Sequence, residues 1–128
     1  TGCKRSGKQR VPSLAEYRLE AFQALDTFWF IQAVEEIDHT DVTLSLRLQI
    51  RAGLFVQVFI GEITGAVNFA LIDGDTRIFG MDFHRGRWHE HPFGDVTTHL
   101  PYEGPLEPTP LHRFLVLVGS LLLQHDIL

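Results

Sequence analysis

Val42-Thr43-Leu44-Ser45-Leu46-Arg47-Leu48-Gln49-Ile50-Arg51 alternates apolar and polar side chains without a break. A period of two marks a strand with one buried and one open face, because successive side chains of an extended chain point to opposite sides. Ala52-Gly53 makes a tight turn into a second apolar run, Leu54 to Ile60. Glu62 to Gly65 turns the chain into Val67 to Ile72, and Asp73-Gly74-Asp75 turns it again into Arg77 to Phe83. Connections this short join antiparallel strands, since parallel neighbours need crossovers of about a dozen residues or more. The stretch from Val42 to Phe83 therefore predicts a four-stranded antiparallel meander.

Helical signals flank it. Ser13 followed by Glu16 fits a capping box, and Leu14, Tyr17, Ala21, Leu25 and Phe28 recur at spacings of three and four, which predicts a helix from Leu14 to about Phe30. Thr109-Pro110 reads as an N-cap and first turn, and Leu111, Phe114, Leu115, Val118, Leu121, Leu122 and His125 stripe a terminal helix. Between the last strand and that helix, His84 to Pro108 holds Gly86, Gly94, Gly104 and four prolines, which predicts one long loop. The fold class predicted is α+β: a single domain over residues 11–128, with the N-terminal and C-terminal helices packed on one face of the meander.

Composition narrows the setting. A chain of 128 residues with 45% hydrophobic content supports one core of ordinary size. The only cysteine, Cys3, has no partner for an internal disulfide, no run approaches the roughly 20 apolar residues of a spanning helix, and the basic N-terminus lacks a secretory apolar region. These features predict a cytoplasmic protein that does not enter a membrane. The net charge of −5 is unevenly spread: Lys4, Arg5, Lys8 and Arg10 give residues 1–10 a charge of +4, which leaves −9 on the other 118. That leader carries almost no apolar side chain and is expected to be disordered. An acidic body argues against broad duplex binding, so any nucleic-acid contact must be local.

The chemistry concentrates in Asp82-Phe83-His84-Arg85-Gly86-Arg87-Trp88-His89-Glu90-His91-Pro92, which with His99 collects four of the seven histidines. Imidazole serves as acid, base or metal ligand near neutral pH without a large shift. In an extended segment His89 and His91 project to the same side and can share a ligand. Three readings follow. In the first, RNA is the substrate: one histidine takes the 2′-hydroxyl proton, another protonates the departing 5′-oxygen, Arg85 or Arg87 stabilises the charged phosphorane, and Trp88 stacks on an unpaired base. In the second, His89, His91, His99 and Asp82 bind zinc or another divalent metal. In the third, Trp88 plugs the core and the imidazoles bond stray backbone carbonyls, leaving a structural loop or a noncatalytic protein-binding surface. His39, His112 and His125 stand isolated, and Arg47 and Arg51 share the polar strand face.

Phe69-Ala70-Leu71-Ile72, Arg77-Ile78-Phe79-Gly80-Met81-Asp82, Trp88-His89-x-His91-Pro92 and His99, taken in order, resemble the TumE-like proteins, described as toxins of toxin–antitoxin pairs. The likeness spans about Val42 to Leu122. The family's loop is of a Trp-Asp-Asn-Ala-Pro-His-His type, whereas here Phe83-His84-Arg85-Gly86-Arg87 precedes Trp88. The resemblance implies a growth-inhibiting protein neutralised by a cognate helix-turn-helix antitoxin, with the histidine segment as its working site. RNA cleavage comes from the residues themselves, not from the resemblance.

The resulting expectation is a metal-independent ribonuclease. His89 and His91 form the leading acid-base pair, with Arg87 as phosphate ligand and with His99 and Asp82 as further catalytic candidates. Arg85, Trp88 and His84 contact the substrate. The partners expected are RNA and the antitoxin, with a homodimer as a further assembly.

Overall fold

The computed structural model describes residues 13–104 and 106–128. The basic leader and Cys3 lie outside the described residues. Along the chain come α1 (Leu14–Thr27), β1 (Ala33–His39), β2 (Thr43–Arg51), β3 (Leu54–Gly61), β4 (Val67–Asp73), β5 (Thr76–His84), β6 (Arg87–His91), β7 (Leu100–Pro101) and α2 (Pro110–Gln124). The fold is α+β, and every strand pairs antiparallel with its chain neighbour, so the sheet order is β1-β2-β3-β4-β5-β6-β7. The meander predicted from Val42 to Phe83 is its centre, but among the described residues the sheet has seven strands rather than four.

The three additional strands lack the signal that reveals the others. β1 is an edge strand whose side chains are exposed apart from half-buried Val34, so no alternation marks it, and its hydrogen bonds to β2 hold it in place. Glu35, Glu36 and Asp38 charge that edge, a device that discourages pairing with another chain. β6 and β7 occupy the stretch predicted to be one loop.

Both helices cover the same face. Tyr17 of α1 and Phe114 of α2 both meet Phe69 of β4, with ring centroids 6.1 and 5.2 Å apart, and Phe114 also stacks on Phe79 of β5 at 5.4 Å. Leu44, Leu46, Leu48 and Ile50 of β2, and Leu54, Val56, Val58 and Ile60 of β3, complete this dry layer. The partners of that alternation, Thr43, Ser45, Arg47 and Gln49, are half-buried and face the other way, on the side of the sheet away from α1 and α2.

The helix ends depart from expectation in two places. α1 closes at Thr27, because Phe28 is extended and Phe30 and Ile31 dive into the core on the way to β1. Its buried stripe is Tyr17, Ala21 and Ala24, and Leu25 is exposed. At α2, Thr109 makes no side-chain cap; the Glu20 carboxylate of α1 instead accepts the His112 backbone N–H at 2.7 Å. A carboxylate there satisfies an orphan donor and meets the positive end of the helix dipole.

Burial nevertheless raises the Glu20 carboxyl pKa from 4.5 to about 7, with the backbone N–H groups of His112 and Leu111 pulling the other way. The folded protein thus holds this proton in a window where the unfolded chain has lost it. Glu20 contributes its stability below pH 4.5, and that contribution disappears as pH rises through 7. Glu20→Gln keeps an acceptor but cannot ionise. It should gain on the wild type by about 1–2 kcal/mol between pH 5 and pH 8, read from urea unfolding midpoints at the two pH values.

Candidate functional site

Arg85 and Gly86 form the two-residue link between β5 and β6, with φ of +56° and +75°. Two consecutive positive φ values give the tight hairpin turn whose twist matches paired strands. The turn sets His84 opposite Arg87 and Phe83 opposite Trp88, and in the next step Asp82 opposite His89. Trp88 consequently enters the helix side and His89 and His91 the open side.

Trp88 is 5% exposed, stacked on Phe69 at 5.6 Å and tilted against Phe83 at 5.2 Å. Its ring is occupied by core contacts, which corrects its assignment as a platform for a substrate base. Arg85 serves the turn. Arg87 lines a separate cavity of about 520 Å³ with Trp88, Tyr102 and Glu103, not the cavity of the histidines.

His91 is 3% exposed, and both its ring nitrogens are engaged. Nδ1 lies 2.8 Å from the Val96 carbonyl oxygen, and Nε2 lies 2.6 Å from Asp82 Oδ2. A carbonyl only accepts, so Nδ1 is the donor there. The Nε2 to Oδ2 contact then also contains a proton, because two bare acceptors do not approach so closely. His91 has no lone pair left for a substrate proton or a metal. This corrects its place in the leading acid-base pair: it is a buried group that holds Asp82.

The remaining members face solvent together. A cavity of about 360 Å³ on the open side is lined by Ala66, Asn68, Asp82, His84, His89 and His99. The residue just before β7 is the last of these: His89 pairs with Pro101 and Glu90 with Leu100, and the next step along the two chains brings the rings of His91 and His99 to 4.3 Å. His84, His89, His99 and Asp82 thus share a wall, with His91 behind it.

Two further residues belong to the site. Asn68 of β4 stands opposite Asp82 in the ladder. Arg77 has its guanidinium 3.7 Å from Asp82 Oδ1. Plain alternation puts Arg77 on the helix side with Phe79 and Met81, but the β4–β5 ladder shifts between Leu71 and Ile72, pairing Ile72 with Arg77. This irregularity brings Arg77 round to the open face. Its side chain lies over Gly80, where a Cβ would stand 3.0 Å from Nε and 3.1 Å from the Phe69 carbonyl oxygen. A side chain at position 80 would crowd both the Arg77 side chain and that carbonyl.

Among the described residues, no three His, Cys, Asp or Glu side chains are grouped so as to hold a metal ion. The expected quartet of His89, His91, His99 and Asp82 fails because His91 is already bonded on both sides. Among the described residues there is also no helix long and apolar enough to cross a membrane. Comparison with protein-family models, curated proteins and solved structures finds no match to this chain.

The histidines should separate by stability. His91→Ala removes a buried hydrogen-bonded ring and strands Asp82, and should lower unfolding stability by about 2–4 kcal/mol in denaturant titration. His99→Ala, at an exposed position, should cost less than about 1 kcal/mol in the same measurement.

Proposed function

We propose that the protein is a toxin-like RNA-cleaving enzyme whose working site is the open-face cavity, and that it needs no metal. The observation that carries this reading is one cavity lined by His84, His89, His99 and Asp82, with His91 buried against the same carboxylate. Several imidazoles around a space of about 360 Å³ can supply both an acid and a base to one bound group.

In the reaction, one of His89 and His99 takes the proton of a ribose 2′-hydroxyl. The freed oxygen forms a bond to the adjacent phosphorus while the bond from phosphorus to the 5′-oxygen breaks. The other histidine gives its proton to that 5′-oxygen, so the products carry a 2′,3′-cyclic phosphate and a 5′-hydroxyl. DNA lacks the internal nucleophile. His84 contacts the substrate from the cavity wall, and Asp82 is the fixed acceptor beside the two histidines. Arg77 is the guanidinium that this geometry offers near the developing charge, in place of Arg87. His91 acts through Asp82 and is a positioning residue.

The resemblance to TumE-like toxins supplies the biological half of the reading: a cytoplasmic protein held inactive by a cognate helix-turn-helix antitoxin. Cleavage of single-stranded RNA by purified protein should persist in EDTA and leave cyclic phosphate ends. His89→Ala and His99→Ala should each slow it by about 10²- to 10⁴-fold with unchanged circular dichroism. Intact RNA after incubation with the wild type, or full rates in both variants, would refute the assignment.

A further inference from the structure

The ladder registers lay the open face out in rows perpendicular to the strands. One row reads Ser45, Phe59, Asn68, Asp82, His89 from β2 to β6. The next reads Arg47, Gln57, Ala70, Gly80, His91. A third reads Gln49, Phe55, Ile72, Arg77. Among the described residues no helix covers this side, since α1 and α2 both pack on the core face through Phe69. The first row runs directly into the histidine cavity, which its Asn68, Asp82 and His89 line, and the other two lie beside it.

Their chemistry suits an unpaired nucleic acid strand. Phe59 is half-buried and so offers a fixed aromatic surface, while Gln57 and Asn68 are exposed amides able to donate and accept. Ala70 makes a low floor beside Gln57, and the Arg77 side chain lies over Gly80 next to it. Arg47 lies with its guanidinium carbon 4.1 Å from the centre of the Phe55 ring. That stacking holds the charge at the surface of β2, and Arg77 places a second charge on β5. Beyond Arg47, Glu35 of β1 is its register partner and accepts from Gln49, so the face turns acidic there. Adjacent strands lie about 4.8 Å apart, which puts Phe59 about 14 Å from His89 across three steps. Four-stranded RNA-binding sheets stack two or three bases over a comparable width.

We infer that single-stranded RNA lies across the open face from the histidine cavity toward β2, with a base stacked on Phe59 and the backbone held by Arg47. The inference rests on the reading of the cavity as an RNA-cleaving site and adds where the rest of the strand sits. Base stacking on one aromatic ring and one phosphate contact are each large enough to see singly.

The test uses the full chain carrying His99→Ala, with anisotropy of a fluorescent 12-nucleotide single-stranded RNA. Adding Arg47→Glu or Phe59→Leu should weaken binding about tenfold each, Leu being chosen to retain the packing of Phe59. Arg113→Glu, the same charge change on α2 across the sheet, should leave binding unchanged. With His99 intact, Arg47→Glu and Phe59→Leu should cleave a dinucleotide, which fills only the cavity, at the wild-type rate. Binding indifferent to Arg47 and Phe59, equal loss in Arg113→Glu, or a matching fall in dinucleotide cleavage would overturn the inference. A face that captures a protein but no RNA would overturn it too. RNA bound with the expected pattern yet never cleaved would keep the strand's path and remove the catalytic reading. Cleavage without dependence on Arg47 or Phe59 would do the reverse.

Discussion

The register of β6 against β5 is the constraint on which the candidate site depends. A slip of one residue would send Trp88 to the open face and His89 and His91 into the helix layer. Two independent features hold the register. The Arg85-Gly86 turn closes with both residues at positive φ, and Trp88 fills the space between Phe69 and Phe83. An aromatic side chain that size buries enough apolar area to contribute several kcal/mol, far more than any surface contact in the neighbourhood. The tryptophan serves the histidines by occupying the opposite face.

The buried His91 explains why a polar pair survives there at all. Taking an imidazole and a carboxylate out of water costs several kcal/mol unless each polar atom finds a partner. Val96 and Asp82 take both nitrogens of His91, and the second carboxylate oxygen of Asp82 accepts no hydrogen bond but has the Arg77 guanidinium 3.7 Å away as an ion pair. The arrangement fixes Asp82 in the cavity wall, where a lone aspartate on a strand would keep several rotamers. His84, His89 and His99 remain with solvent access, so the four imidazoles divide into one that is structural and three that are available.

Charge distribution fits a local binding surface. β1 carries Glu35, Glu36 and Asp38, and on the helix side Glu20 ties α1 to the start of α2. The open face carries Arg47 and Arg77 with the imidazoles, and the one carboxylate in the cavity wall is already bonded to His91. A protein with net charge −5 can therefore present a face that tolerates phosphate while the remainder repels extended nucleic acid.

Periodicity determined the class of fold. Alternation from Val42 to Ile50, short turns, and the spaced apolar residues of the two helices were enough for an antiparallel sheet with helices on one face, because burial of one side imprints its period on the chain. The clustering of histidines between Asp82 and His99 singled out the candidate site. β1 and β7 escaped because an edge strand is held by hydrogen bonds to its neighbour and needs no apolar pattern, and β6 because five residues between Gly86 and Pro92 are too few to show a period. Whether Trp88 meets a ligand or the core, whether His91 is free or bonded, and how Arg77 reaches Asp82 were decided only in three dimensions. Those outcomes rest on cross-strand register and on one irregular step beside Leu71, and neither leaves a trace in the order of residues along a single strand.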